Sequence, residues 1–78
     1  MRNDFEEMMA QVEAASWFAE LAELEEAFTE AGFDVLEANS EYVVVAYEDD
    51  DEDVQVQVRL SGTESTIVID SYEEICRG

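Results

Sequence analysis

Residues 41 to 60 read "EYVVVAYEDDDEDVQVQVRL". Two strands and the turn between them can be read there directly. In the second arm Val54, Val56, Val58 and Leu60 alternate with Gln55, Gln57 and Arg59. Strict alternation puts one set of side chains on a core and the other in water. The first arm, "EYVVVAYE", is a second strand. Between them stand six consecutive acids: Glu48, Asp49, Asp50, Asp51, Glu52 and Asp53. Screening between exposed charges becomes effective only beyond about 8 Å at physiological salt, and neighbours in a turn lie closer than that. An Asn-Gly or Asp-Gly pair would close the hairpin at lower cost. One reading is a solvated turn that discourages aggregation. The other is a surface made negative because something positive binds it.

The strand pattern extends on both sides. "FDVLEA" (33–38) is a first, weaker strand, and Asn39-Ser40 turns it into the next. Past Leu60, Ser61-Gly62 is a two-residue hairpin signal, and "TESTIVID" (63–70) is the last strand. "DSYEEICRG" (70–78) offers a short closing helix, with Ser71 and Glu74 at capping-box spacing and Gly78 beyond. A continued strand is the alternative.

Upstream, residues 4 to 31 are helical in pattern. Asn3 with Glu6, and Asp4 with Glu7, stand at capping-box spacing, and Gly32 is a natural terminator. Trp17, Leu21, Leu24, Phe28 and Ala31 recur at helical spacing as one apolar stripe. Glu23, Glu26 and Glu30 fall on the opposite face. The first turns break this register. At about 100° per residue, Phe5, Met8, Met9 and Val12 point away from the Trp17 stripe, on the azimuth of Glu23 and Glu26. Two arrangements satisfy them. The helix breaks near "EAAS" (13–16), with Ser16 capping a second helix and both helices packed on one core. Or Phe5, Met8, Met9 and Val12 form an exposed Met-rich patch for a partner or for a second copy in a homodimer. The expected fold is one α+β domain over residues 1–78. An N-terminal helix, whole or broken, packs on one face of a three- or four-stranded antiparallel sheet. Trp17, Leu21, Leu24 and Phe28 should meet Val54, Val56, Val58 and Ile67 or Ile69.

Composition narrows function. Hydrophobic residues make up 47% of the chain, enough for one modest core and too many for a disordered acidic tail. There are 22 Asp and Glu against 3 basic residues, all Arg, giving a net charge of −19. A magnitude of about 2 to 8 suffices for solubility in a small domain, and self-repulsion at higher charge lowers stability. The charge therefore points to a use. Free nucleic acid and anionic membranes are disfavoured as partners, because both are bound through Lys and Arg. Basic proteins, cations and a very salty solvent remain. Cys76 is the only cysteine, so no internal disulfide marks an oxidising compartment. "MRNDFEEMMAQ" is too acidic and too short in apolar run for a signal peptide. The expected location is the cytoplasm.

Catalytic chemistry is thin. The chain has no His and no Lys, which removes imidazole bases, imidazole ligands and Schiff-base chemistry. Cys76 has no His to activate it. Paired carboxylates need a cleft to act as acid and base, and a chain this short rarely forms one. No enzyme activity and no cofactor are expected. The acidic run also fails as a calcium loop. Asp49, Asp51 and Asp53 match positions 1, 3 and 5 of an EF-hand, but Val54 stands where Gly is required and Leu60 where the bidentate Glu belongs.

Carboxylates can stand in for phosphates. Same-face residues on a strand recur every ~6.6 Å, and a nucleic-acid strand carries one charge per ~3.4 Å of axis. An acidic surface can thus engage Lys and Arg already assembled for DNA or RNA, and steering speeds its arrival. Glu48 to Asp53 supply one such cluster; Glu23, Glu26 and Glu30 supply a second. Small size, extreme acidity, an α+β pattern and the run "EDDDED" together resemble the acidic nucleic-acid-mimic inhibitors of phages and mobile elements, of the anti-CRISPR and anti-restriction type. The likeness is one of overall character, since that class shares no motif. It implies a non-enzymatic inhibitor in the host cytoplasm that occupies the nucleic-acid site of a basic defence complex. An immunity protein or antitoxin for a basic nuclease is the alternative. A halophilic cytoplasmic domain is the third reading, and it would spread its charge evenly rather than cluster it.

Overall fold

In a computed structural model of the protein, residues 4–49, 51–63 and 65–77 are described, with the side chains of residues 4 and 77 left aside. The order of elements is α1 (Asp4–Glu13), α2 (Leu21–Ala31), β1 (Asp34–Ala38), β2 (Tyr42–Asp49), β3 (Glu52–Thr63) and β4 (Thr66–Arg77). The strands form one antiparallel sheet in the order β1-β2-β3-β4. The chain is thus α+β, with both helices preceding the sheet. Among the described residues, no helix is long and apolar enough to cross a membrane.

The alternation in β3 sets the faces. Val54, Val56 and Val58 are buried, and they stand opposite Tyr47, Val45 and Val43 of β2. Both helices cover this face. Met9 and Val12 of α1 and Leu24 and Phe28 of α2 join the same buried cluster, with Phe5, Met8 and Leu21 packed against it. Val44, Ala46, Gln55, Gln57 and Arg59 lie on the other face.

The apolar stripes explain the helix break. Phe5, Met8, Met9 and Val12 form one face of α1, and Leu21, Leu24, Phe28 and Ala31 form one face of α2. A single straight helix cannot aim both at one sheet. The chain therefore leaves helical geometry after Glu13, as the broken-helix arrangement expects. Phe5, Met8, Met9 and Val12 accordingly belong to the core; Met9 is 2% exposed and Val12 1%. The alternative of an exposed Met-rich patch is corrected by this packing.

Two details of the break differ from the expectation. Trp17 is 55% exposed, and its neighbour Phe18, at 6%, takes the buried place. The cause lies in the backbone. Phe18 forms an isolated antiparallel bridge with Ile67 of β4, with two reciprocal N–H···O bonds of 2.8 Å. That extended conformation turns Phe18 inward and Trp17 outward, since successive side chains alternate on extended chain. Ser16 does not cap α2 either. Glu20 is the N-cap residue and makes no side-chain cap bond. Instead the Ala19 N–H donates to Glu23 Oε2 at 3.1 Å, so a first-turn carboxylate reaches back over the helix start. The capping-box pairs proposed for α1 fall on Asn3, outside the described residues, and on the Asp4 side chain.

The other end of α2 follows its sequence. Gly32 takes φ 111°, and the N–H groups of Gly32 and Phe33 donate to Thr29 and Phe28 carbonyls at 3.1 and 3.0 Å. This is a Schellman closure. Its hydrophobic contact is present too: the Phe28 and Phe33 rings meet edge to face, 5.5 Å apart. Asn39 shapes the next turn. Its side-chain oxygen accepts from the Glu41 and Tyr42 N–H groups at 2.8 and 3.0 Å.

The last hairpin is longer than its sequence signal. Strand β3 runs through Ser61 and Gly62 to Thr63, which pairs with Thr66, so the reversal lies beyond Thr63 and not at Ser61-Gly62. Gly62 is needed for another reason. It has φ 109°, and a Cβ there would run into the Thr66 carbonyl. The closing helix is absent. Residues 71–77 continue β4, paired with β3 from Arg59 to Val54. Two bulges, which leave Asp70 and Ile75 without direct opposites, keep the strand in step.

Candidate functional site

The acidic run forms the tip of the β2–β3 hairpin. Asp49 pairs with Glu52, and Glu48 with Asp53. Directly opposite positions hold Cβ atoms about 4.5–5.5 Å apart, where like charges destabilise the pairing. Alternation sends the two pairs to opposite faces. Asp49 and Glu52 continue the row of Tyr47 and Val54, while Glu48 and Asp53 continue the outer row of Ala46 and Gln55. The tip is negative on both sides rather than along one edge. Asp51 sits at the turn with φ 68°, a left-handed conformation that Asp tolerates better than most residues. Glu48, Asp51, Glu52 and Asp53 are exposed and Asp49 is half-buried. Asp50 lies outside the described residues.

A packed aromatic cluster holds this tip from below. Tyr47 is the last apolar residue of β2 before the acids. Its ring stacks on Phe5 at 5.1 Å and meets Phe33 edge to face at 5.7 Å. Phe5 also meets Tyr72 of β4 at 5.4 Å and Phe33 at 6.1 Å. The start of α1, the end of α2 and strands β2 and β4 thus converge just beneath the carboxylates. The sequence reading missed these positioning residues. Phe33 and Tyr47 flank a strand pair whose register sequence alone leaves open, and Phe5 had been given a competing role.

The helix acids divide. Glu23, Glu26 and Glu30 are all exposed, but they do not join the hairpin as one surface. Glu23, which accepts the Ala19 N–H, sits at the start of α2, close in sequence to the Phe18–Ile67 bridge. That bridge lies near the β3–β4 turn, at the opposite end of the sheet. Glu30 lies at the other end. The chain passes from it through Gly32 into Asp34, which pairs with Ala46, three residues before Asp49. Asp34 is therefore about 10 Å along the sheet from the tip, at about 3.3 Å per residue. It is an acid of the same pole that the sequence reading did not name. The available signal was its place at the head of a strand antiparallel to β2.

Other chemistry is sparse. Tyr42, on the outer face, hydrogen-bonds Glu37; that bond and the negative charges of Glu37 and Glu41 raise its pKa above the ordinary tyrosine value, against a lowering by Asn39. Cys76 is exposed. No group of three or more acids and cysteines is placed to hold a metal ion among the described residues. A shallow depression of about 140 Å³ at the helix break is lined by Glu13, Ala15, Ser16 and Ile69, whereas small-molecule sites usually enclose about 300–1,000 Å³. No family model matches the chain, and no curated protein and no solved structure matches it either.

Proposed function

We propose that the chain is a non-enzymatic inhibitor that places its acidic hairpin tip in the positively charged nucleic-acid site of a partner protein or complex, as a DNA or RNA mimic. One observation carries this reading: like-charged residues face each other in two successive cross-strand pairs on a hairpin mounted on a packed aromatic cluster. Like charges opposed in this way repel across the hairpin. A binding surface gains a great deal, because carboxylates held in place before contact cost less ordering when they meet Lys and Arg.

Placement favours the same reading over adaptation to salt. The described residues measure 37 × 21 × 18 Å, and the long axis matches the twelve-residue strands β3 and β4. The tip stands at one end of that axis. The stretch at the opposite end, residues 61–66, holds a single acid in its sequence, Glu64. The run from Glu48 to Asp53 holds six of the 22 acids, a local density that a solvent-adapted surface does not require; the other acids are distributed over the helices and the remaining strands. An immunity protein for a basic nuclease would use the same pole, and is separated from the first reading by whether the partner's nuclease centre or its recognition site is covered.

The test is charge removal without change of shape. Asp49→Asn, Asp50→Asn and Asp51→Asn together should weaken partner binding about tenfold or more, with folding intact or improved. The native affinity should fall steeply with salt. Unchanged affinity in the triple variant would reduce the tip to a solvated turn.

A further inference from the structure

The sheet has two edges, and they are built differently. Strand β1 has five residues, is interrupted by a bulge at Leu36 and carries Asp34 and Glu37. Strand β4 is longer, twelve residues with no Pro or Lys, and is itself interrupted by bulges at Asp70 and Ile75. Its inner side pairs with β3. On its outer side, among the described residues, Phe18 alone is bridged to it. The two 2.8 Å bonds between Phe18 and Ile67 show that this edge accepts added antiparallel backbone. Beyond Ile67 the same side carries Ile69 and, past the bulge at Asp70, Tyr72 and Glu74; Tyr72 is 41% and Ile75 48% exposed. An exposed edge with large apolar side chains ordinarily invites pairing.

A second copy is a poor occupant. Each chain carries −19. Two-fold antiparallel pairing about the middle of the strand would set Asp70 against Glu73, and pairing about Tyr72 would set Asp70 against Glu74; like charges directly opposite are destabilising. The same acids suit an extended segment carrying Lys or Arg at alternate positions. They also lead toward the tip. Cys76 and Arg77 stand opposite Gln55 and Val54, so the C-terminal end of the edge reaches the acidic pole.

We infer that the outer edge of β4, from Ile69 to Cys76, binds an extended basic segment of the partner by strand addition. Backbone hydrogen bonds would supply affinity, Tyr72 and Ile75 apolar contact, and Asp70, Glu73 and Glu74 the choice of a basic strand over an acidic one. This rests on the reading of the partner as basic, and extends it from the tip to the edge.

The probe is an eight-residue peptide of alternating Val and Lys. Its control is the same peptide N-methylated at every second residue, which keeps the charge and removes the donors along one edge. Amide exchange and chemical shifts of the full chain report where each binds. The expected result is slowed exchange across residues 69–76 with the plain peptide, and binding about tenfold or more weaker for the methylated one. Protection should persist in the chain carrying Asp49→Asn, Asp50→Asn and Asp51→Asn. Equal binding of the two peptides, or changes confined to residues 48–53, would overturn the edge proposal and leave the tip reading standing. Loss of partner binding in the triple variant's absence of charge is tested separately, so failure of the tip reading remains distinguishable. A plain peptide that does not bind also overturns strand addition here.

Discussion

At Asp51 the needs of the fold and of the proposed function part company. The residue has φ 68° at a turn crowded with carboxylates. Glycine enters that region without a Cβ clash and would also remove one negative charge. Asp51→Gly should therefore raise stability by about 0.5–1 kcal/mol in urea unfolding, while weakening partner binding. A loss of stability would show that the Asp51 side chain has a structural role in the turn. Gly62 presents the reverse case, because any Cβ there meets the Thr66 carbonyl. Tyr42 allows a pH test. Its folded pKa lies above its unfolded value, chiefly through the hydrogen bond to Glu37. A raised pKa means the protonated phenol is favoured in the folded chain. Its contribution to stability is complete below about pH 10 and is lost as pH rises through the folded value. In an absorbance titration of tyrosinate, the component lost in Tyr42→Phe should move to lower pH in Glu37→Gln. An unmoved curve in Glu37→Gln would remove Glu37 as the cause.

At the scale of elements, α1 offers the plainest discrimination. Met9 and Val12 lie in the core, so Met9→Glu with Val12→Glu buries two charges and should cost about 3 kcal/mol or more. Circular dichroism should show unfolding. A folded chain that merely changes its oligomeric state would restore the exposed-patch reading. The core strands and the need for a helix break were legible because periodicity reports which side chains must be buried, as in Val54, Val56 and Val58. Partners across the sheet were less legible. Ser71 and Glu74 carried a local helix signal, but pairing with β3 satisfies the same backbone groups and overrides it. Ser61-Gly62 signalled a turn, while the register needed Gly62 for close approach to β4. Trp17 matched a helical stripe, and the bridge at Phe18 displaced it. For Trp17, and for Ser71 and Glu74, a contact distant in sequence outweighed a local preference; for Gly62 it was the close approach of Thr66, four residues on.

For the whole molecule, the net charge of −19 opposes compaction, and salt screens that repulsion. Stability should rise with added sodium chloride, yet the chain should remain folded in low-salt buffer, because its core is formed by apolar packing of helices on sheet. Unfolding at low salt would favour the halophilic reading. The acidic pole was partly legible: the run from Glu48 to Asp53 is plain in the sequence, but only the fold shows Asp34 and Glu30 at the same end and Glu23 at the other. Displacement of bound nucleic acid tests the proposed mimicry. A basic nucleic-acid-binding partner captured with the chain is loaded with labelled DNA or RNA and titrated with the native chain and with the Asp49→Asn, Asp50→Asn, Asp51→Asn variant. The native chain should release the nucleic acid near equimolar ratio, and the variant should need about tenfold more. Nucleic acid that stays bound under saturating native chain, or equal displacement by the variant, would contradict the mimicry.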